Sequence, residues 1–232
     1  MQYNGGDGPV HPPLEARQLY GLAAAQGHAK AQCNLGNMHY NGEGGPRDLA
    51  EARRLFGLAA AQGEAVAQCT LGYMHRRGEG GPPDLAEARR LYGRAAAQGH
   101  ANAQCNLGNM HRWGEGGPPD LAEARRLFAL AAAQGHANAQ CNLGNMHYNG
   151  EGGPQDFTEA RRLYELAAAQ GDAVAQCTLG YMHRDGDGGP QDLAEARRLY
   201  GLAAAQGDAN AQHELGIMHQ GGEGGPQEWG GV

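Results

Sequence analysis

Residues 48–83 read DLAEARRLFGLAAAQGEAVAQCTLGYMHRRGEGGPP, and this pattern returns along the chain at a constant interval of 36 residues. Six leucines mark the interval: Leu35, Leu71, Leu107, Leu143, Leu179 and Leu215. A period of about 20 to 50 residues is typical of stacked supersecondary units, each of which buries its apolar face only against its neighbours. The repeat therefore predicts one uninterrupted array over residues 1–232, with no internal domain boundary.

The first half of each unit carries the signals of a helix in the expected order. Asp48 is suited to cap the N-terminus, and Glu51 stands three residues later, as in a capping box in which each side chain binds the other's backbone N–H. Gly63 follows the last apolar residue, where a left-handed conformation commonly ends a helix. The same pairing recurs in Asp84 with Glu87, Asp120 with Glu123, Asp156 with Glu159, and Asp192 with Glu195.

Two apolar faces follow from the spacing of residues in the unit. The first helix places Ala52, Leu55, Phe56 and Ala59 at i, i+3, i+4 and i+7, and the second places Ala67, Leu71 and Met74 at i, i+4 and i+7. Gly72 lies on the second face, where a larger side chain would hold the neighbouring helix away. We therefore predict an all-α fold, an α-solenoid of about six antiparallel helix pairs and no strand.

The unit resembles the Sel-one-like repeat (SLR) family, whose members are related to tetratricopeptide repeats. The matching positions are Ala59, Ala60, Gly63, Ala67, Leu71, Gly72, Met74, Gly78 and Gly80. The resemblance covers nearly the whole chain and implies a scaffold that assembles protein complexes, with the first helices lining a concave wall. Two positions depart from the family pattern: the aromatic pair of the first helix is reduced to Leu55-Phe56, and His75 replaces the usual Tyr.

Composition and charge narrow the classes of partner. The net charge of -7 argues against nucleic acid or an anionic membrane, because both favour a dominant positive surface. The N-terminal sequence MQYNGGDGPVHPP lacks a basic region followed by an apolar stretch, and no apolar run reaches membrane-spanning length. We therefore expect a cytoplasmic protein.

One histidine position and one cysteine position recur at the interval of 36 residues, with His213 in place of a sixth cysteine. The histidines are His39, His75, His111, His147, His183 and His219, and the cysteines are Cys33, Cys69, Cys105, Cys141 and Cys177. Neighbouring units packed about 10 Å apart cannot place two histidines at about 2 Å from one metal ion, nor two cysteines within the roughly 7 Å that a disulfide needs. We expect no metal site, free packed thiols, and a ring nitrogen of each histidine bonded to a carbonyl or a water.

The candidate binding residues are arginines on the non-core side of each first helix: Arg54, Arg90, Arg126, Arg162 and Arg198. We call this set the arginine stripe. The residues around it are small at Gly57, Gly93, Ala129 and Gly201, with Glu165 as the exception, so a peptide carboxylate could approach the guanidinium groups. The alternative is that Glu51 and its equivalents neutralise these arginines at i, i+3 spacing. Both interpretations stay open at this stage.

The predicted function is a non-enzymatic scaffold or adaptor that binds an extended protein or peptide on the concave surface, without a cofactor. A helical-repeat RNA-binding protein is the alternative. A protein that recognises one base per repeat needs side chains that vary between repeats, and here they barely vary. No unique Ser, His and Asp set or nucleotide-binding loop indicates an enzyme.

Residues 1–8 resemble residues 38–45, and Glu228 and Trp229 stand where Asp and Leu begin a first helix. We therefore expect a piece of a longer array, or copies that associate end to end.

Overall fold

A computed structural model describes residues 12–224, and over that range the chain forms twelve helices and no strand. The helices are α1 (Pro12–Ala25), α2 (Ala29–Asn41), α3 (Leu49–Ala61), α4 (Ala65–Arg77), α5 (Leu85–Ala97), α6 (Ala101–Trp113), α7 (Leu121–Ala133), α8 (Ala137–Asn149), α9 (Phe157–Ala169), α10 (Ala173–Asp185), α11 (Leu193–Ala205) and α12 (Ala209–Gly221). We call the odd-numbered helices first helices and the even-numbered ones second helices. The predicted all-α fold of about six helix pairs is confirmed.

Side chains cap the N-termini of the helices from α2 to α12, except α4, where Glu64 makes no such bond. Asp48 Oδ1 accepts a hydrogen bond of 2.9 Å from the backbone N–H of Glu51, as predicted for a first helix. Second helices begin in a similar way, since His28 Nδ1 accepts from the N–H of Ala31 at 3.2 Å. These bonds satisfy N–H groups that have no partner inside the helix.

The reciprocal half of the predicted capping box is wrong. The backbone N–H of Asp48 donates to the carbonyl of His39 at 2.8 Å, at the end of the preceding second helix. The carboxylate of Glu51 instead binds Arg54 on the next turn. The connector thus ties α3 to α2, and the same bond ties α5 to α4, α9 to α8 and α11 to α10.

Glycines end the helices in the left-handed conformation. Gly63 has φ of 98° after α3 and Gly78 has φ of 72° after α4. The N–H of Gly78 bonds the carbonyl of Met74 and so satisfies one of the last carbonyls of α4. The helix ends therefore lie where the sequence predicts them.

The two predicted apolar faces form the core. Ala52, Leu55, Phe56 and Ala59 of α3 are at most 2% exposed, and Ala67, Leu71 and Met74 of α4 are also buried. A Cβ atom on Gly72 would lie 3.1 Å from the ring of Tyr92 in α5. The glycine therefore lets the aromatic ring of the next first helix pack against the second helix.

The chain divides into two compact units between Pro119 and Asp120. The first contains α1–α6 and the second α7–α12, three helix pairs each, and in both units each helix packs mainly against the helices before and after it. That residues 1–232 form a single array stays a prediction. The expectations for residues 1–8, Glu228 and Trp229 lie outside the described residues.

Candidate protein-binding surface of the first helices

On α3, α7, α9 and α11 the exposed side carries an arginine followed by a leucine one turn later, whereas α5 has Arg94 in place of the leucine. Arg54 is followed by Leu58 at i+4, and the leucine is 42% exposed. Leu130, Leu166 and Leu202 are equally exposed one turn after their arginines. The side chains of Arg54, Arg90, Arg126, Arg162 and Arg198 are 56–59% exposed. The predicted site residues thus lie on an accessible surface that is both basic and apolar.

Each arginine of the stripe also has an acidic neighbour. Arg54 Nε and Nη2 donate to the two carboxylate oxygens of Glu51, both at 2.7 Å. The same two-point pairs join Glu87 with Arg90, Glu123 with Arg126, Glu159 with Arg162, and Glu195 with Arg198. The hydrogen bonds from Arg54 lower the pKa of Glu51 below its ordinary value. The pairing expected from the spacing is therefore present.

The pair leaves part of the guanidinium group available. A guanidinium carries five N–H donors, and the pair with Glu51 uses Nε and one donor of Nη2. Arg54 is more than half exposed, so its remaining donors are open to a ligand carboxylate or carbonyl. Glu51 therefore reduces the net charge and at the same time fixes the orientation of the guanidinium group.

Grooves open between consecutive first helices in the second unit. One of about 450 Å³ lies between α7 and α9, with Leu143 and Leu163 at its base and the Glu159–Arg162 pair on one wall. A second, of about 570 Å³, lies between α9 and α11, with Leu179 and Leu199 at its base and the Glu195–Arg198 pair on one wall. Alanines line both grooves, so an extended backbone could approach their apolar base.

The two grooves differ in charge on the wall opposite the arginine. In the α7–α9 groove this wall carries Ala129, whereas the α9–α11 groove carries the exposed carboxylate of Glu165. Glu165 lies 3.6 Å from Nε of Arg161 on its own helix. The α9–α11 groove is therefore the less favourable of the two for an acidic ligand.

The first arginine of each pair has a different position. Arg53 reaches from α3 to α4, where Nη2 lies 2.8 Å from Nδ1 of His75, and it also donates to the carbonyl of Pro82 at 3.2 Å. Arg17, Arg89, Arg125, Arg161 and Arg197 contact His39, His111, His147, His183 and His219 in the same way. The expected histidine partner, a carbonyl or a water, is replaced by an arginine. Each of these arginines thus joins a first helix to the second helix after it, and Arg53 also binds the connector that follows α4.

The histidine ring must accept a hydrogen bond from arginine, which favours its neutral form. Desolvation and the charge of the neighbouring arginine lower the pKa of His39, His75, His147 and His183. Between residues 12 and 224, no group of three or more His, Cys, Asp or Glu side chains is placed to hold a metal ion. The recurring histidines are therefore structural in the described part of the chain.

The five cysteines are buried, and none forms a disulfide bond. Burial raises the pKa of the Cys69 and Cys177 thiols to about 11, far from a reactive thiolate. The thiols are therefore packed in the interior without disulfides, as predicted. Across the described range, no helix has the length and apolar composition needed to cross a membrane.

Repeated helix pairs that bury their apolar residues against neighbouring helices and share a chemically similar outer face define a helical-repeat protein of the solenoid class. The Sel1 repeat model matches residues 1–28, 29–64, 65–100, 101–136, 137–172, 173–208 and 209–228. The chain therefore belongs to the Sel1 repeat family, which confirms the resemblance to Sel-one-like repeats. No curated protein matches the chain.

Solved structures of similar proteins agree with this assignment. The chain is 36% identical to c5321, a protective antigen of uropathogenic Escherichia coli with an SLR fold; the match covers 92% of this chain and 46% of that one, with a TM-score of 0.87. It is 34% identical to a Sel1 repeat protein of Oxalobacter formigenes over 92% of this chain and 62% of that one, with a TM-score of 0.81. The chain thus spans about half of the length of the first of these proteins and less than two thirds of the length of the second.

A more distant structure shares the fold alone. Immunity protein Pa5087 of Pseudomonas aeruginosa is 20% identical, with a TM-score of 0.51, and the match covers 89% of this chain and 78% of that one.

Proposed function

We propose that this chain is a non-enzymatic scaffold that binds an extended, acidic protein segment along its first helices. The family supports a role in protein interaction. The observation that carries the finer proposal is the repeated combination of an oriented arginine, an exposed leucine and a groove with an apolar base. It is best defined at Arg162 with Leu166 and at Arg198 with Leu202.

Each element of the surface has a separate part in the proposed binding. The leucines and the groove bases bury apolar side chains of the segment, and this burial supplies most of the affinity. The free guanidinium donors bind its carboxylates or backbone carbonyls and set its orientation. Since the units repeat, one segment contacts several such sites in succession, and the local concentration of its second contact is raised by the first.

A selection from random sequences tests this proposal even though the natural partner is unidentified. A displayed peptide library and a random RNA pool are each passed over the immobilised chain. We expect peptides enriched in Asp or Glu together with large apolar residues. Enrichment of RNA instead of peptides would favour the alternative of an RNA-binding array and contradict the proposal.

The selected peptide is then measured against two variants with equal loss of charge. Arg162→Gln with Arg198→Gln removes two arginines of the stripe, whereas Lys30→Gln with Arg77→Gln removes two exposed basic residues of second helices. We expect the first variant to weaken binding roughly tenfold, about 1.4 kcal/mol, and to reduce the salt dependence. Equal effects of the two variants would reject the arginine stripe as the site.

A further inference from the structure

The contact between consecutive helix pairs is repeated within each unit of the chain. The ring of Tyr92 packs where Gly72 leaves space, and the side-chain amide of Gln98 donates to Gln68 Oε1 at 2.8 Å. Corresponding amide bonds join Gln62 to Gln32, Gln170 to Gln140, and Gln206 to Gln176. The joint thus needs a Leu-aromatic pair and a glutamine from the first helix, and a glutamine and a Leu-Gly pair from the second helix before it.

Helix α1 presents one half of this joint without the other. Leu19 is 60% exposed and Tyr20 is 37% exposed, whereas their equivalents Leu55 and Phe56 are at most 2% exposed. An open hollow of about 440 Å³ lies beside Tyr20. The side-chain amide of Gln26 donates to the carbonyl of Leu22 on its own helix, and the structure gives it no glutamine partner among residues 12–224.

Helix α12 presents the complementary half. A Cβ atom on Gly216 would meet nothing within 4 Å, whereas one on its equivalent Gly180 would lie 2.6 Å from Tyr200. Gln212 donates to the carbonyl of Ala204 like the other glutamines at its position, but it is exposed, whereas its equivalent Gln176 is buried. The slot for an aromatic ring and the acceptor for an amide are therefore both open.

The sequences flanking the described part cannot supply the missing halves. Residues 1–11, MQYNGGDGPVH, contain no Leu-Gly pair to receive Tyr20. Residues 225–232, GPQEWGGV, contain no leucine followed by an aromatic residue to fill the slot at Gly216. Another copy of the same chain carries the residues that both faces lack: Leu19, Tyr20 and Gln26 on α1, and Leu215, Gly216 and Gln212 on α12.

We propose that copies of this chain associate head to tail, with α1 of one copy packed on α12 of the next. Leu19 and Tyr20 enter the open slot at Gly216, and Gln26 donates to Gln212. The two surfaces differ, so the interface is heterologous and every copy offers one surface of each kind. The contact between copies then has the same form as the contacts between helix pairs inside each unit. The Leu-aromatic pair is buried against the Leu-Gly pair, and the two glutamines form an amide hydrogen bond.

Sedimentation velocity tests this proposal on the full chain. At concentrations up to roughly 100 µM, where an interface of micromolar affinity is populated, we expect a concentration-dependent series extending beyond the dimer. A chain that stays monomeric over this range would overturn the proposal.

Two variants block one half of the joint each. Leu19→Asp places a charge on the exposed face of α1, and Gly216→Leu fills the slot of α12, where the structure has room for a side chain. We expect each variant to keep its helicity by circular dichroism and to be monomeric. The matched controls are Gln18→Asp, on the same helix at a position whose equivalent, Arg54, stays 59% exposed inside the repeat, and Gly201→Leu, at another open helical glycine; both are expected to associate like the original chain.

Mixing the two blocked variants gives the sharpest outcome. The mixture retains one intact α12 surface, on Leu19→Asp, and one intact α1 surface, on Gly216→Leu. We therefore expect a 1:1 dimer that does not grow further. Association of either variant alone, or absence of a dimer in the mixture, would show that another surface is used.

Discussion

Five of the 36-residue repeats carry two adjacent arginines on the first helix, and the two have different roles because a helix turns by about 100° per residue. Arg53 points towards the partner helix, where it binds His75 and the carbonyl of Pro82. Arg54 points outward and binds only Glu51 among the described residues. The first arginine therefore belongs to the stability of the unit, and the second to its surface.

The same substitution at these neighbouring positions should separate the two roles. We expect Arg53→Gln to lower the free energy of unfolding by about 1 to 3 kcal/mol, because it leaves His75 and a connector carbonyl without a charged donor. We expect Arg54→Gln to change it by less than about 0.5 kcal/mol, because exposed ion pairs contribute little. Urea denaturation followed by circular dichroism measures both, and equal effects would contradict the proposed division of roles.

The lowered histidine pKa values predict a loss of stability in mild acid. The unfolded chain has histidines of ordinary pKa, about 6.5, and so binds more protons than the folded chain as the pH falls. Their contribution to stability is complete above that value and is lost as the pH falls through the lower pKa of the folded state. We expect the free energy of unfolding to decrease from pH 7.5 to 5.5.

The control for this prediction replaces a titrating ring with a neutral amide. His75→Gln retains a polar side chain without a proton to gain in this range. It should therefore make the pH dependence between pH 7.5 and 5.5 shallower than in the original chain. An unchanged slope would show that His75 does not contribute to it.

Glycines at one repeat position should respond in opposite ways to the same substitution. At Gly180 an added methyl group would press on the ring of Tyr200, and we expect Gly180→Ala to cost about 1 to 3 kcal/mol. At Gly216 the space is open, so Gly216→Ala should stabilise by about 0.5 to 1 kcal/mol through its higher helix propensity. Urea denaturation at low protein concentration would disprove this if both variants were destabilised.

At the scale of the helices, the sequence is sufficient to predict the starts and ends. Asp48 caps α3 and Gly63 follows it, as the local pattern requires. The predicted bond from Glu51 to the N–H of Asp48 failed because the acceptor of that N–H, the carbonyl of His39, could not be identified from local spacing. The N–H of Asp48 is taken by His39 across the connector, and the carboxylate of Glu51 is held by Arg54.

The cap itself should have a measurable energy. Asp84→Ala removes the acceptor for the N–H of Glu87, a bond of 2.9 Å, and we expect a loss of about 1 kcal/mol in the free energy of unfolding. Asp84→Asn keeps a cap oxygen and should retain most of the stability. Chemical denaturation of both variants checks this, and a similar loss for Asn would place the effect in the charge instead of the hydrogen bond.

At the scale of the whole molecule, the repeat predicts the fold but only part of the candidate surface. The spacing of Glu51 and Arg54 predicts their pair because both lie on one helix. The grooves could not be predicted, since they depend on how first helices 36 residues apart pack over an intervening second helix. The prediction of a carbonyl or a water as the partner of His75 was also wrong, because the actual partner, Arg53, lies on another helix.

The distribution of buried residues predicts where the molecule opens first. Helix α1 buries Ala24 and helix α12 buries Ala211 and Met218, whereas α5 buries five residues. We expect amide hydrogens of α1 and α12 to exchange faster than those of α5 and α9, because fewer apolar contacts oppose local opening. Hydrogen exchange with mass spectrometry at low protein concentration checks this, and uniform exchange would contradict it.

The connectors restrict how such a chain can change in length during evolution. A Cβ atom on Gly80 would overlap the carbonyl of Leu49, and Asp84 bonds back to His75 at 2.8 Å, so an inserted residue would break contacts on both sides. A gain or loss of 36 residues preserves all of them. Residues from His28 recur almost unchanged from His136, three units later. Changes in the size of this molecule are therefore accepted in whole units, through duplication or deletion, instead of through the gradual growth of loops.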